Sequence, residues 1–443
     1  SKDMVEITKM KAEKQKAEKE AFFCTTKELS RLGLEQIPTQ FQSHKHLIYS
    51  SPATLAFNSP GAEGFGVKRA GLAVPDSIML IVAPGCCGRN TSLISSMKEY
   101  NDRFYYLMMD ETDIVTGRHL KKIPKAVEEI CSVCPKKPSV VMICITCVDA
   151  LLGTDMERVC KKAEEQVEIP VRPCYMYALT REGRKPPMVH VRQSLYSLLE
   201  PGKKKGNVVN LLGFFSPLVD DCEIYDLLHS AGVKTIHEIS RCKDYKEYQT
   251  MSEANFNLVL HHEARFAAED FHNRLQIPFI ELRRLYQIDK IENQYHALGN
   301  ALGVAFYDEK YKKQAEDALE KFRQKCPDAS FAIGECLNAD PFELSLALIR
   351  YGFSVPEIYG TITVENFTYI RSLAKISPET KVFSNMEPTM IYYDPAKSDV
   401  NLAIGKDACY YHPDCPYVMW NGEEQPYGYA GVRRLFEQLL EVV

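Results

Sequence analysis

Residues 139–145 read SVVMICI, a run without a charge and without the every-second-residue alternation of a half-exposed strand. It is far shorter than the roughly 18 residues that cross a membrane. A short run of this kind, rich in β-branched residues, reads as a strand buried on both faces, which only helices above and below a parallel sheet can provide. Similar runs recur at residues 77–82, 104–109 and 171–176. Helical stretches lie between them, at 121–131, where Ile123, Val127 and Ile130 share a face, and at 155–167. The alternation is that of βαβ units.

A linker, EPGKKKG at residues 200–206, closes this block. A second block has apolar runs at 207–215, 234–239, 257–261 and 278–282, a helix near 223–231 and long helices over 288–325. A third has runs at 330–336, 357–363, 381–384 and 401–405, a helix over 342–351 and a last helix over 432–442. The expected fold class is α/β, with three doubly wound parallel-sheet domains over 32–205, 206–325 and 326–443. A charged helical extension over 1–31 precedes them. The length of 443 residues agrees with about three domains of roughly 150 residues. In such sheets ligands bind beyond the carboxyl ends of the strands, so the strand-end loops carry the functional expectations.

A net charge of −5 argues against a nucleic-acid partner, which would ask for a basic face. No run is long enough for a membrane span, and the charged start, SKDMVEITK, lacks the apolar core of a secretory signal. Cytoplasmic localisation is expected, where the 15 cysteines would remain thiols or bind metal. No phosphate-binding G-x4-G-K-[ST] motif occurs. Gly61, Gly64 and Gly66 lack a preceding strand and do not make a dinucleotide fingerprint.

Two strand ends carry thiols. Cys86 and Cys87 stand between Gly85 and Gly88 just after the 77–82 run, and Cys147 follows the SVVMICI run. A thiolate on a turn between a strand end and a helix start is accessible and electrostatically favoured, and suits iron–sulfur or zinc chemistry. A rival set, Cys131, Cys134, Cys144 and Cys147, has the paired C-x2-C spacing of a zinc site. Against it, Cys144 lies inside an apolar strand. His261 and His262 end another apolar run and are candidate proton donors.

The order of several segments resembles the component 1 proteins of nitrogenase and their relatives. These are Pro84-Gly85-Cys86-Cys87-Gly88, the segment MDETDIVTG from Met109, Ile145-Thr146-Cys147-Val148-Asp149 with LGTD from Leu152, and EIPV from Glu168. Downstream are NLVLH from Asn257 with IPF from Ile277, and PYGYAG from Pro426. The resemblance runs from about residue 50 to the end. It implies three Rossmann-like domains around a central cleft and an iron–sulfur cluster at a subunit interface, a [4Fe-4S] cluster or a larger one. Cys86 and Cys147 are the implied metal ligands, on the Gly85 turn, with Cys87 as an extra thiol that has no counterpart in the pattern. The implied partners are a homologous subunit in a heterodimer or heterotetramer, or a second copy in a homodimer, and a dimeric ATP-hydrolysing iron protein.

The resemblance also has gaps. A third cluster cysteine would precede the glycine turn, where residues 57–62 read FNSPGA. The family's cofactor-binding cysteine falls at His261 and its cofactor-binding histidine near Met419 and Trp420. A molybdenum–iron cofactor held in the usual way, and dinitrogen reduction with it, are therefore not expected. The leading reading is a nitrogenase-like reductase subunit. It would pass low-potential electrons through the interface cluster to a second metallocluster or a tetrapyrrole substrate in the cleft, with His261 and His262 as catalytic residues. The alternatives are a scaffold for assembling a complex iron–sulfur cofactor and a zinc-stabilised protein without redox function.

Overall fold

The computed structural model describes residues 2–42, 66–83, 102–145, 154–175 and 185–443. Gly61, Gly64, Gly85, Cys86, Cys87 and Cys147 lie outside the described residues. The chain divides into two compact units. One comprises Ser1–Gly64, Leu218–Ala231 and Arg284–Val443, the other Phe65–Pro217 and Gly232–Arg283. The described residues form three sheets.

The chain begins with the helix Lys2–Ala17, followed by strand β1 (Phe23–Thr25) and the helix Thr26–Leu32. The next strands, β2 (Ile78–Ala83), β3 (Phe104–Met108), β4 (Val141–Ile145) and β5 (Val171–Tyr175), form a parallel sheet in the order β3-β2-β4-β5. Its central strands β2 and β4 are buried on both faces, as their charge-free runs require, and the edge strand β3 is partly exposed. Met79, Ile81, Met142 and Cys144 enter one core. Ile78, Leu80, Val82, Val141 and Ile143 enter the other. The helices His119–Val133 and Met156–Val167 cover this second face with Ile123, Val127, Val159 and Ala163. Each large aliphatic side chain so buried contributes about 1.5–3 kcal/mol. The first core is shared with the second sheet of the same unit through Leu212 and Val259. That sheet is parallel too. It consists of β6 (Val208–Leu212), β7 (Thr235–His237), β8 (Phe256–Val259) and β9 (Phe279–Glu281), in the order β7-β6-β8-β9.

The other unit holds β10 (Ser330–Ile333), β11 (Ser354–Tyr359), β12 (Lys381–Phe383), β13 (Leu402–Ile404) and β14 (Tyr417–Val418). They are parallel, and with β1 they make one sheet in the order β1-β12-β11-β10-β13-β14. β1 is antiparallel to β12, with Phe23 opposite Phe383. The charged start, expected to be helical over 1–31, is therefore two helices, Lys2–Ala17 and Thr26–Leu32, split by an apolar stretch, AFFCT from Ala21, that adds an edge strand to this sheet. The following helix opens with a capping box. The Thr25 hydroxyl accepts from the Glu28 N–H at 3.2 Å, and the Glu28 carboxylate accepts from the Thr25 N–H at 3.2 Å.

The last helix starts at Gly428, four residues before the expected 432. Its first turn is held by Glu223, whose carboxylate accepts from the N–H groups of Tyr429 at 2.6 Å and Ala430 at 3.1 Å and from the Tyr295 hydroxyl at 2.7 Å. A carboxylate at a helix N-terminus meets both the orphan N–H groups and the positive end of the dipole. That support lies 206 residues from Tyr429 in sequence and explains why local pattern placed the start too late.

The sheet also dismantles the four-cysteine zinc set. Cys131 and Cys134 pack on the core under the helix His119–Val133. Cys144 is fully buried in the core on the opposite face of β4. Period-two alternation puts one strand thickness between them.

Candidate functional site at the strand switch points

Each sheet has a strand from which the chain runs outward on one side, and a neighbour of that strand from which it runs outward on the other: β2 and β4, β6 and β8, and β10 and β13. The crevice between those two strands is the switch point, where doubly wound sheets bind ligands. It falls between β2 and β4, between β6 and β8, and between β10 and β13.

At the first switch point Val82 is paired with Ile145 in parallel register. The chain leaves β2 after Ala83 and β4 after Ile145, so both segments start from one edge on neighbouring strands. In sequence, Cys86 is three residues beyond Ala83 and Cys147 two beyond Ile145. After β3, Asp113 is paired with the Lys122 ammonium at 2.7 Å, which holds its carboxyl below the usual range. His119 bridges the Asp113 carbonyl at 3.3 Å and the Thr154 hydroxyl at 3.2 Å.

The second switch point contains the two histidines. His261 lies just past β8, and its Nδ1 accepts from the Glu263 N–H at 3.2 Å, capping a short helical turn. With Nδ1 accepting, the neutral ring carries its hydrogen on Nε2. The His262 ring stacks on His261 at 4.6 Å and the Phe214 ring meets it edge-on at 5.7 Å. Gly213, at φ +139°, follows β6, and a Cβ there would lie 2.7 Å from the His261 backbone nitrogen. The buried Arg192 donates from Nε to the Gly213 carbonyl at 3.0 Å. His261 is thus fixed on three sides, and His262 is exposed.

The third switch point was not expected from sequence. Glu335 and Cys336 follow β10, and Asp407 follows β13. The Asp407 carboxylate accepts from the N–H groups of Glu335 at 2.9 Å and Cys336 at 3.1 Å and from Asn385 Nδ2 at 2.8 Å. The half-buried Glu335 carboxylate accepts from the Thr361 hydroxyl at 3.1 Å and from Asn385 Nδ2 at 3.3 Å. Burial and then the neighbouring Asp407 push the Glu335 carboxyl up to about 6. It can take and give a proton near neutral pH. Burial also pushes the Cys336 thiol far up, so this cysteine is no thiolate ligand as it stands.

Near Met419 and Trp420, where the resemblance places the family's cofactor histidine, the side chains pack. Trp420, at φ +51°, is buried, and its Nε1 donates to the Tyr286 hydroxyl at 2.8 Å. Cys409 is buried, and the Cys415 thiol reaches the Val400 carbonyl at 3.5 Å. Among the described residues no group of three or more His, Cys, Asp or Glu side chains is arranged to hold a metal ion. Among them, too, no helix is long and apolar enough to cross a membrane.

Repeated doubly wound parallel sheets define an α/β protein of the multi-Rossmann class. The chain belongs to the nitrogenase component 1 type oxidoreductase family, which matches residues 63–443. A nitrogenase iron-molybdenum cofactor biosynthesis protein NifE from Sinorhizobium fredii is 25% identical over 418 residues, 88% of this chain and 82% of that protein. The protein of the same name from Nostoc is 25% identical over 61% of this chain and 58% of its own length. Among solved structures, nitrogenase Cp1 at pH 6.5 has a TM-score of 0.70 and 18% identity, covering 93% of this chain and 96% of that one. This last likeness is one of fold.

Proposed function

We propose that the chain is one subunit of a scaffold on which a complex iron–sulfur cofactor of the nitrogenase type is assembled. The observation that carries this reading is the match over 88% of the chain to a protein named for iron–molybdenum cofactor biosynthesis. The capped His261 and the packed Trp420 agree with it, since neither side chain is presented as a cofactor ligand in the manner of a catalytic member. On this reading Cys86 and Cys147 supply thiolates to a resident cluster shared with a homologous subunit, with Gly85 in the turn and Cys87 as a further thiol. The cofactor under construction is cargo. His261 and His262 would donate hydrogen bonds or protons to it.

The family's description as an oxidoreductase favours a second reading. Here the same subunit pair accepts electrons from an ATP-hydrolysing iron protein and reduces a substrate such as a tetrapyrrole. One experiment separates the two. The chain is purified without oxygen together with its co-expressed partner, and iron, sulfide, molybdenum and zinc are measured. The loaded complex is then mixed either with a cofactor-free acceptor protein or with the iron protein, ATP and substrate. Transfer of iron and sulfide to the acceptor, with the resident cluster lost in Cys147→Ala, is the expected result. Repeated ATP-dependent turnover without transfer would overturn the scaffold in favour of the reductase. Zinc without iron would overturn both.

A further inference from the structure

The C-x2-C pair at Cys131 and Cys134 is left without a role once Cys144 is seen to face the other core. The two residues close the helix His119–Val133. Cys131 is in its last turn and Cys134 is the residue at which the backbone leaves it, at φ −61° and ψ 132°. Residues three apart on a helix share a face, with their Cβ atoms roughly 5–6 Å apart, and a disulfide needs about 3.5–4.5 Å. The gap of about 1 Å is small at this place. Only the Cys134 N–H···O bond to Ile130, at 3.0 Å, ties the second residue to the helix, and Pro135 follows without an N–H to lose.

Access separates this pair from the buried thiols of its unit. Cys144, Cys160 and Cys174 are buried, and Cys131 and Cys134 are only half-buried, with Ser132 and Val133 between them exposed. The Cys134 sulfur has a chemical partner as well, the Tyr105 hydroxyl on β3 at 3.3 Å. That contact pushes the phenol up to about 12, so Tyr105 keeps its hydrogen and can donate it to a sulfur that gains negative charge.

We propose that Cys131 and Cys134 form a redox-active dithiol that a low-molecular-weight disulfide converts to an intrachain disulfide. In the first step the Cys134 thiolate, steadied by Tyr105, attacks one sulfur of the small disulfide. A mixed disulfide forms, and one small thiolate leaves and takes up the proton that Cys134 lost. In the second step Cys131 loses its proton and attacks the Cys134 sulfur, and the second small thiol departs with that proton. Two protein thiols are oxidised by two electrons, and one small disulfide is reduced to two small thiols. Burial, and then the neighbouring Cys134, push the Cys131 thiol up, which suits it to resolve rather than to attack. This site is independent of the proposed cluster and of the scaffold reading.

The test uses the full chain, purified without oxygen and equilibrated with glutathione mixtures from fully reduced to fully oxidised. After acid quenching and alkylation, the tryptic peptide of residues 126–136, which contains both cysteines, is weighed. The expected product is this peptide lighter by two hydrogens and unalkylated, appearing in one reversible transition. Cys131→Ser should trap a glutathione adduct on Cys134, and Tyr105→Phe should slow its formation roughly fivefold, the factor for loss of one hydrogen bond of about 1 kcal/mol. Both thiols fully alkylated at the oxidised end would overturn the proposal. So would stable glutathione adducts on both residues without the lighter peptide. The wild-type measurement decides the matter even where a variant folds poorly.

Discussion

Glu343 gives the sharpest test of the packing in the unit that holds β10 to β14. Its carboxylate is fully buried in the first turn of the helix Pro341–Arg350. It accepts from the Tyr286 N–H at 2.9 and 3.0 Å and from the Gln287 N–H and side-chain amide at 3.2 Å each, just ahead of the helix Ile288–Leu302. No cation pairs with it in these contacts. Burial therefore outweighs the N–H groups and pushes its carboxyl from 4.5 up to about 7. Between these values the folded chain keeps a proton that the unfolded chain has lost. The associated stability is fully present below pH 4.5 and is lost as pH rises through 7. Integrated from pH 5 to pH 8, the loss is about 2–3 kcal/mol. Glu343→Gln keeps the shape and the acceptor oxygen but cannot ionise, so this decline should vanish in the variant. The only tryptophan, Trp420, reports on the spot, because its Nε1 donates to the hydroxyl of Tyr286, whose N–H binds Glu343. Urea unfolding followed by Trp420 fluorescence at pH 5 and pH 8 should show the variant gaining on the wild type by about 2–3 kcal/mol at the higher pH. A stability difference that stays constant between the two pH values would refute the reasoning.

Two further predictions concern the same unit. Gly428→Ala places a Cβ against the buried Glu223 carboxylate and the Tyr295 hydroxyl at a φ of +63°, so a loss of about 3–5 kcal/mol is expected in the same urea assay, and a loss below about 1 kcal/mol would contradict it. Asp407→Asn removes the charge that helps raise Glu335, so the Glu335 titration followed by carbon NMR should move from about 6 toward 4.5 without reaching it, because burial remains the larger cause.

Much of the fold was legible because buried parallel strands write themselves as short charge-free runs, as in β2, β4, β6 and β10. The strand-end location of His261 was legible for the same reason. What escaped was carried by contacts distant in sequence. β1 is three residues at the end of a charged helix, and its partner β12 lies more than 350 residues on. Asp407 reaches the Glu335 N–H across 72 residues, and neither loop has a spacing that announces a carboxylate pair. His412 stands in no motif of the sequence, yet its Nε2 meets the hydroxyls of Tyr393 at 2.7 Å and Tyr359 at 3.0 Å beside the buried Glu357. The C-x2-C spacing failed in the opposite sense. It promised a four-thiol site, and the pleat of β4 sent Cys144 to the other face.

The glycines at two switch points show how, within each crevice, the two facing loops come close enough to touch. Gly213 follows β6 and Gly334 follows β10, and each faces the loop that leaves the strand across the crevice. A side chain at Gly213 would meet backbone, the His261 nitrogen at 2.7 Å. At Gly334 it would meet a side chain, the Asp407 carboxylate. The two substitutions should therefore differ in whether a second change can relieve them. Gly334→Ala should be destabilising alone and less so beside Asp407→Ala, with a coupling of about 1–3 kcal/mol in a double-mutant cycle read by Trp420 fluorescence. Gly213→Ala should gain nothing from His261→Ala, because the backbone nitrogen stays in place and the φ of +139° still disfavours any side chain. Hydrogen exchange of the peptide covering residues 208–215 reads that second cycle. Additive costs at Gly334 and Asp407, or rescue at Gly213 by His261→Ala, would mean that the loops are not held at these distances. Convergence of the crevice residues would then need another cause.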